Sequence, residues 1–128
     1  MNIEIKRVKI VVCIPYDYVE KVRDAICSEG AGRIGNYSFC SITSKVVDTF
    51  IPLDGSKPFI GECDKLECVL EEKLEVVCDI NLVSKIIKII RDVHPYEEPG
   101  IDIIPLIDEE YFRKILNNIC DDKISLTK

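Results

Sequence analysis

The chain has a single histidine, no tryptophan and one methionine among its 128 residues. One histidine excludes a metal centre built from several of them. No apolar run reaches the roughly 18 residues that a membrane-spanning helix needs. Basic residues are in the minority, 17 against 23 acidic, for a net charge of −6. No basic patch interleaves with aromatics, so nucleic acid is not the expected partner, and an acidic surface repels anionic membranes. The chain has seven cysteines but no C-x-x-C pair; Cys63 and Cys68 are the closest two. Structural zinc wants paired ligands at short spacing. The cysteines therefore read as free thiols of a reducing compartment, most of them small buried hydrophobes. The first seven residues alternate apolar and polar like a strand and lack a signal-peptide core, so a cytoplasmic protein is expected.

What is there reads as one soluble domain, residues 1–121, with a polar tail at 122–128. Its focal stretch is His94-Pro95-Tyr96-Glu97-Glu98-Pro99. Proline fixes φ, lacks an N–H and pushes the preceding residue out of the α region. The segment is thus a rigid, extended corner between a helical run and a strand.

The first strand is expected at residues 3–14, apolar on both faces in its second half and so central in a sheet. A helix follows, with Asp17 and Glu20 as a capping box, Val19, Val22 and Ile26 facing inward, and Gly30 at its C′ position. Gly30, Gly32 and Gly35 spell G-x-G-x-x-G, but they follow a helix where the dinucleotide motif must follow a strand. They read as a helix-to-strand turn. The weaker functional reading is an anion-binding nest of bare N–H groups beside Arg33.

A second strand is expected at residues 36–43, continued by an extended piece at 47–52, with a turn at Asp54-Gly55 and with Phe59 and Ile60 tucked inward. The clearest strand is 66–78. Leu74, Val76 and Cys78 share one face with Glu72, a carboxylate out of pattern that needs a partner, an exposed end, a bulge or a function. At about 3.3 Å per residue this strand spans roughly 40 Å, long enough that part of it projects or pairs with another subunit. Residues 79–81 cap a second helix whose stripe is Leu82, Ile86, Ile89, Ile90 and Val93. Residues 101–106 are expected to form a fourth strand, with Pro105 pointing to a sheet edge or a strand end. Asp108 opens a last helix ending at Cys120.

The order β-α-β-β-α-β is that of a ferredoxin-like α+β fold. Both main helices would cover one face of an antiparallel sheet. Val11, Cys13, Val69 and Val77 would point from the other, which implies a partner, most simply another copy of the chain.

His94 is the commonest metal-ligand type. With Glu97 or Glu98, and with Cys40 or Glu72 from neighbouring strands, it could hold a divalent ion; equally, it could hydrogen-bond across the corner with Tyr96 beneath it and serve architecture alone. No motif places a nucleophile. Cys40 qualifies only if the fold brings it to His94.

Gly30 to Tyr37, Cys40, Pro58-Phe59-Ile60-Gly61, Glu72 with Leu74-Glu75, and the His94 to Pro99 corner resemble the Nif-three-like family (NGG-one-interacting factor three). More narrowly, the match is to the small domain inserted into its longer bacterial members, a domain similar in fold to CutA and PII proteins that also occurs alone. The resemblance implies a trimer with ligand or metal sites between subunits, lined here by Gly32, Arg33, Gly35, Asn36, Tyr37 and Tyr96. It does not bring over the two-metal domain of the longer members, nor an enzymatic activity. Two readings stand: an oligomeric ligand- or divalent-metal-binding regulatory module, and a structural or partner-binding module without a small-molecule ligand.

Overall fold

The computed structural model describes residues 2–127, with side chains described through residue 119. Its elements are β1 (Arg7–Pro15), α1 (Val19–Cys27), β2 (Ile42–Phe50), β3 (Glu67–Asp79), α2 (Val83–Val93), β4 (Ile101–Leu106) and α3 (Glu109–Thr127). The four strands form one antiparallel sheet in the order β2-β3-β1-β4. This is the expected ferredoxin-like arrangement, with β1 central and Pro105 on an edge strand.

Period-two burial explains the core. Val8, Ile10, Val12 and Ile14 of β1 and Leu74, Val76 and Cys78 of β3 point to one face. There they meet Val22 and Ile26 of α1 and Ile86 and Ile90 of α2, the inward stripes of two amphipathic helices. Asp79 accepts a hydrogen bond from the Asn81 N–H (2.8 Å) and so opens the turn that leads into α2.

The capping box at α1 does not form. Residues 16–18 make a 3₁₀ turn ahead of the helix, and no side chain caps it. Its other end behaves as expected. Gly30 has φ +106°, its N–H bonds the Cys27 carbonyl, and the Ala31 N–H bonds the Ile26 carbonyl, the two bonds of a Schellman stop.

The second strand begins six residues later than expected, at Ile42, and runs unbroken to Phe50. Long-range bonds hold the chain before it. The Gly32 N–H bonds the Val77 carbonyl, and the Cys40 N–H bonds the Gly32 carbonyl, both at 2.8 Å. Phe39 then turns through φ +57°. Residues 36–41 are tied down as a loop, and sequence propensity for strand is overridden.

β3 extends beyond β1. Its residues Glu71–Asp79 pair with β1, whereas Glu67–Leu70 pair with β2 alone. The β2–β3 hairpin therefore projects, as the length of the strand implied. At its tip side Val47 stands opposite Leu70, and each is 63% exposed. The register is continuous along both β3 pairings, so no bulge turns Glu72 aside. α3 continues to Thr127, past the end expected at Cys120, and exposes Phe112, Leu116 and Ile119.

The cysteine reading needs correction. Of the six described side chains, only Cys27 and Cys78 are buried; Cys13 and Cys40 are half-buried, and Cys63 and Cys68 are exposed. Cys120 lies outside the described side chains.

A Cβ at Gly32 would stand 2.6 Å from the Cys40 carbonyl oxygen, at φ +75°. Gly32→Ala should therefore destabilise the fold by more than about 1 kcal/mol, measured as a lowered midpoint of urea unfolding. Gly35→Ala, where the added carbon meets nothing within 4 Å, should cost less.

Candidate functional site

The buried carboxylate of β3 is Glu71, the neighbour of the one singled out by pattern. Glu71 is 0% exposed, while Glu72 is half-buried and stands opposite Ile14 and Lys45. Alternation places Glu71 on the sheet face away from the helices, where a charged side chain would ordinarily meet water. The His94 corner and the loop after β2 roof that end of the face instead.

The corner is anchored by its histidine. Tyr96 N–H donates to His94 Nδ1 (3.1 Å), so Nδ1 carries no proton. Nε2–H then donates to the Cys13 carbonyl (2.8 Å) on β1. Both ring nitrogens are taken by backbone, and the residue is 5% exposed. Burial lowers its pKa, partly offset by the Cys13 bond, so the ring is neutral at pH 7. His94 thus hydrogen-bonds across the corner, with Tyr96 against its ring.

Tyr96 packs against the imidazole (centroids 4.9 Å) and is flanked by Phe50 and Phe59. Its hydroxyl donates to Glu71 Oε2. Asp48, on β2, reaches the same carboxyl. Glu71 Oε1 accepts from no donor. Two carboxylates side by side require a proton between them. Burial first, and then Asp48, push the Glu71 pKa up to about 7, against the Tyr96 bond that lowers it. The protonated acid can donate to Asp48. Tyr96 is raised far above an ordinary phenol by burial and by Glu71, and it stays protonated. The Cys13 thiol is also raised, by burial and then by Asp48 and Glu71, which leaves it a poor nucleophile.

Over this floor lies an open cleft of about 440 Å³. Phe50, Pro52, Pro58, Phe59 and Tyr96 form its apolar walls, and Asp48, Asp102, Glu97 and Glu98 its polar rim. Phe59 lines the cleft half-exposed and edge-on to Tyr18, contrary to the inward position expected of it. Sequence reasoning missed Asp48, Asp102 and Glu71. The signal was available in their alternation: they share a sheet face with Cys13.

The proposed metal set is not gathered. Glu97 accepts from the Lys57 N–H (2.6 Å), Glu98 pairs with Arg91 (3.4 Å), and His94 is tied as described. Cys40 sits beside Gly32, near where Val77 pairs with Lys9 of β1. Cys13, under His94, is four residues further along that strand, about 13 Å. Cys40 is therefore not within hydrogen-bond reach of His94. Among the described residues no group of three or more His, Cys, Asp or Glu could hold a metal ion. The same separation parts the proposed ligand residues. Tyr96 lines the cleft, whereas Gly32, Arg33, Gly35, Asn36 and Tyr37 lie at the other end, with Tyr37 exposed and Arg33 Nε donating to the Gly35 carbonyl.

No family model matches the chain. Proteins named "GTP cyclohydrolase 1 type 2 homolog" from Bacillus subtilis (strain 168) and Halalkalibacterium halodurans are 45% and 43% identical to it over 98 and 101 residues. A Bacillus cereus protein related to NIF3 superposes with a TM-score of 0.72 at 38% identity, over 81% of this chain and 26% of that one. The chain is a homologue of one segment of the NIF3-related proteins. The match takes in 77% and 79% of this chain but only 26% and 27% of the two named relatives, about a quarter of their length. The CutA divalent cation tolerance protein of Archaeoglobus fulgidus shares the fold of this NIF3-related segment, with a TM-score of 0.60 at 16% identity over 82% of this chain and 90% of that one. Among the described residues no helix is long and apolar enough to cross a membrane.

Two measurements check the site. His94→Ala leaves the Cys13 carbonyl and the Tyr96 N–H without partners, so stability should fall by about 2–4 kcal/mol in chemical denaturation. Glu71 in the folded chain keeps a proton that the unfolded chain loses above about pH 4.5. The native state thus binds more protons across that window, and its stability falls as pH rises from 4.5 to about 7. Glu71→Gln should remove that fall and gain roughly 3 kcal/mol over wild type at neutral pH. Unfolding curves of both proteins at pH 4.5, 6 and 8 read the difference.

Proposed function

We propose that the chain is a small-ligand-binding regulatory module that assembles with copies of itself, as a trimer, in the cytoplasm. The observation that carries this reading is the cleft on the helix-free sheet face. It combines aromatic walls with a buried acid that is held in place by Tyr96 and Asp48. Such a site, apolar with a few convergent polar groups, is the usual form of a small-molecule pocket. Assembly is supported by the projecting hairpin, whose exposed Val47 and Leu70 are apolar, and by the likeness of the fold to CutA.

A divalent-ion site of the kind expected from His94, Glu97, Glu98, Cys40 and Glu72 would need donors from a second copy. We propose no catalytic activity. The relatives whose name mentions GTP cyclohydrolase are about four times as long as the matched segment, and here the one histidine has both nitrogens engaged. The second reading, a partner-binding module with no small ligand, is favoured by the apolar residues that α3 and the hairpin expose.

Native mass spectrometry of protein purified without chelator tests this. A trimer that carries a small-molecule adduct is the expected result. A trimer with no adduct would favour the partner-binding module, and a clean monomer would contradict both.

A further inference from the structure

We infer that the cleft above Glu71 is a site for a small organic cation with an apolar or aromatic body. Its ammonium or guanidinium group would sit between Asp48 and Asp102, above the buried Glu71 carboxyl. This rests on the ligand-module reading above and names the class of ligand.

Charge is the first argument. Four carboxylates line the cleft, and among the described residues no lysine, arginine or histidine does. Glu97 and Glu98 already have partners in Lys57 N–H and Arg91. Asp48 and Asp102 face the apolar walls from β2 and β4, on either side of Cys13. Lys73 faces Cys13 from β3 but does not line the cleft.

Glu71 lies beneath that cluster, against Asp48. Glu71 Oε1 is fully buried and accepts from no donor, and the carboxyl that bears it lies between two cleft residues, Tyr96 and Asp48. An anionic ligand would place a third negative charge there. A cationic N–H donor seated on Asp48 would instead offset the negative charge of the acid pair beneath the cleft. Phe50, Phe59 and Tyr96 can then pack around the body of the ligand and offer ring faces to its charge. The volume, about 440 Å³, lies within the roughly 300–1,000 Å³ of small-molecule sites.

Isothermal titration of the full chain with 2-phenylethylammonium, and with 2-phenylethanol as its neutral counterpart, tests the inference. The ammonium should bind at least tenfold more tightly than the alcohol. Asp102→Asn, at an exposed position, should weaken the ammonium at least threefold and leave the alcohol unchanged; Asp48→Asn should do the same. Equal binding of the two probes, or no binding of the ammonium, overturns the inference. If the native spectrum shows an oligomer with an adduct but the ammonium does not bind, the ligand module survives and only the cationic class fails. If adduct and probe binding are both missing, both fail.

Discussion

A carboxyl group buried on a sheet face must be neutral, paired or both. The hydrogen bond from Tyr96 to Glu71 meets that requirement here, and the arrangement of one end of the molecule follows from it. Tyr96 can reach Glu71 only because the corner leaves α2 in extended geometry at His94, with φ −70° and ψ 137°. The corner holds its place because His94 spends both ring nitrogens on backbone, one on β1 and one on its own turn. The prolines at 95 and 99 limit what else the segment could do. Phe50 and Phe59 then close around the Tyr96 ring, and the loop after β2 becomes the wall of a cleft.

The same face is treated differently at its two ends. Near Val77 backbone docks on the β3 edge just past the end of β2, through the Gly32 and Cys40 bonds. Near Glu71 the face is closed by side chains that surround a space. The first end is a structural clamp whose glycines are needed for close approach and positive φ. The second end has Glu71 raised towards neutrality and Tyr96 and Cys13 kept protonated, with the Asp48 carboxyl group against Glu71. Perturbed acids in a cleft are the ordinary mark of a binding site. Here the perturbation has a geometric cause, since Glu71 sits beneath Tyr96 and against Asp48.

Much of the fold was legible in the sequence. The alternation of residues 66–78, the stripe Ile86 and Ile90, and Pro105 on a short strand are local signals, and each element lies within a residue or two of where they put it. The start of β2 was not legible. What prevents residues 36–41 from joining the sheet is the Gly32 clamp, a contact with Val77 forty-five positions away in the chain. The pair Glu71-Glu72 shows the same limit. Pattern placed Glu71 on the outward face, and that is where its backbone points, yet burial was decided by a corner and a loop that strand periodicity does not see. The importance of the His94 corner was visible from its composition. Whether its histidine was a ligand or a tie was not, because that depends on the positions of the Cys13 carbonyl and the Tyr96 N–H.

The central claim is that Glu71 is a buried acid that shares its proton at neutral pH. Carbon-13 NMR of the glutamate side-chain carboxyls, assigned to Glu71 by its loss in Glu71→Gln, measures this directly. The account predicts a carboxyl that titrates near pH 7, with Asp48→Asn moving the midpoint downward. A Glu71 carboxyl that titrates near 4.5, with the other glutamates, would contradict it.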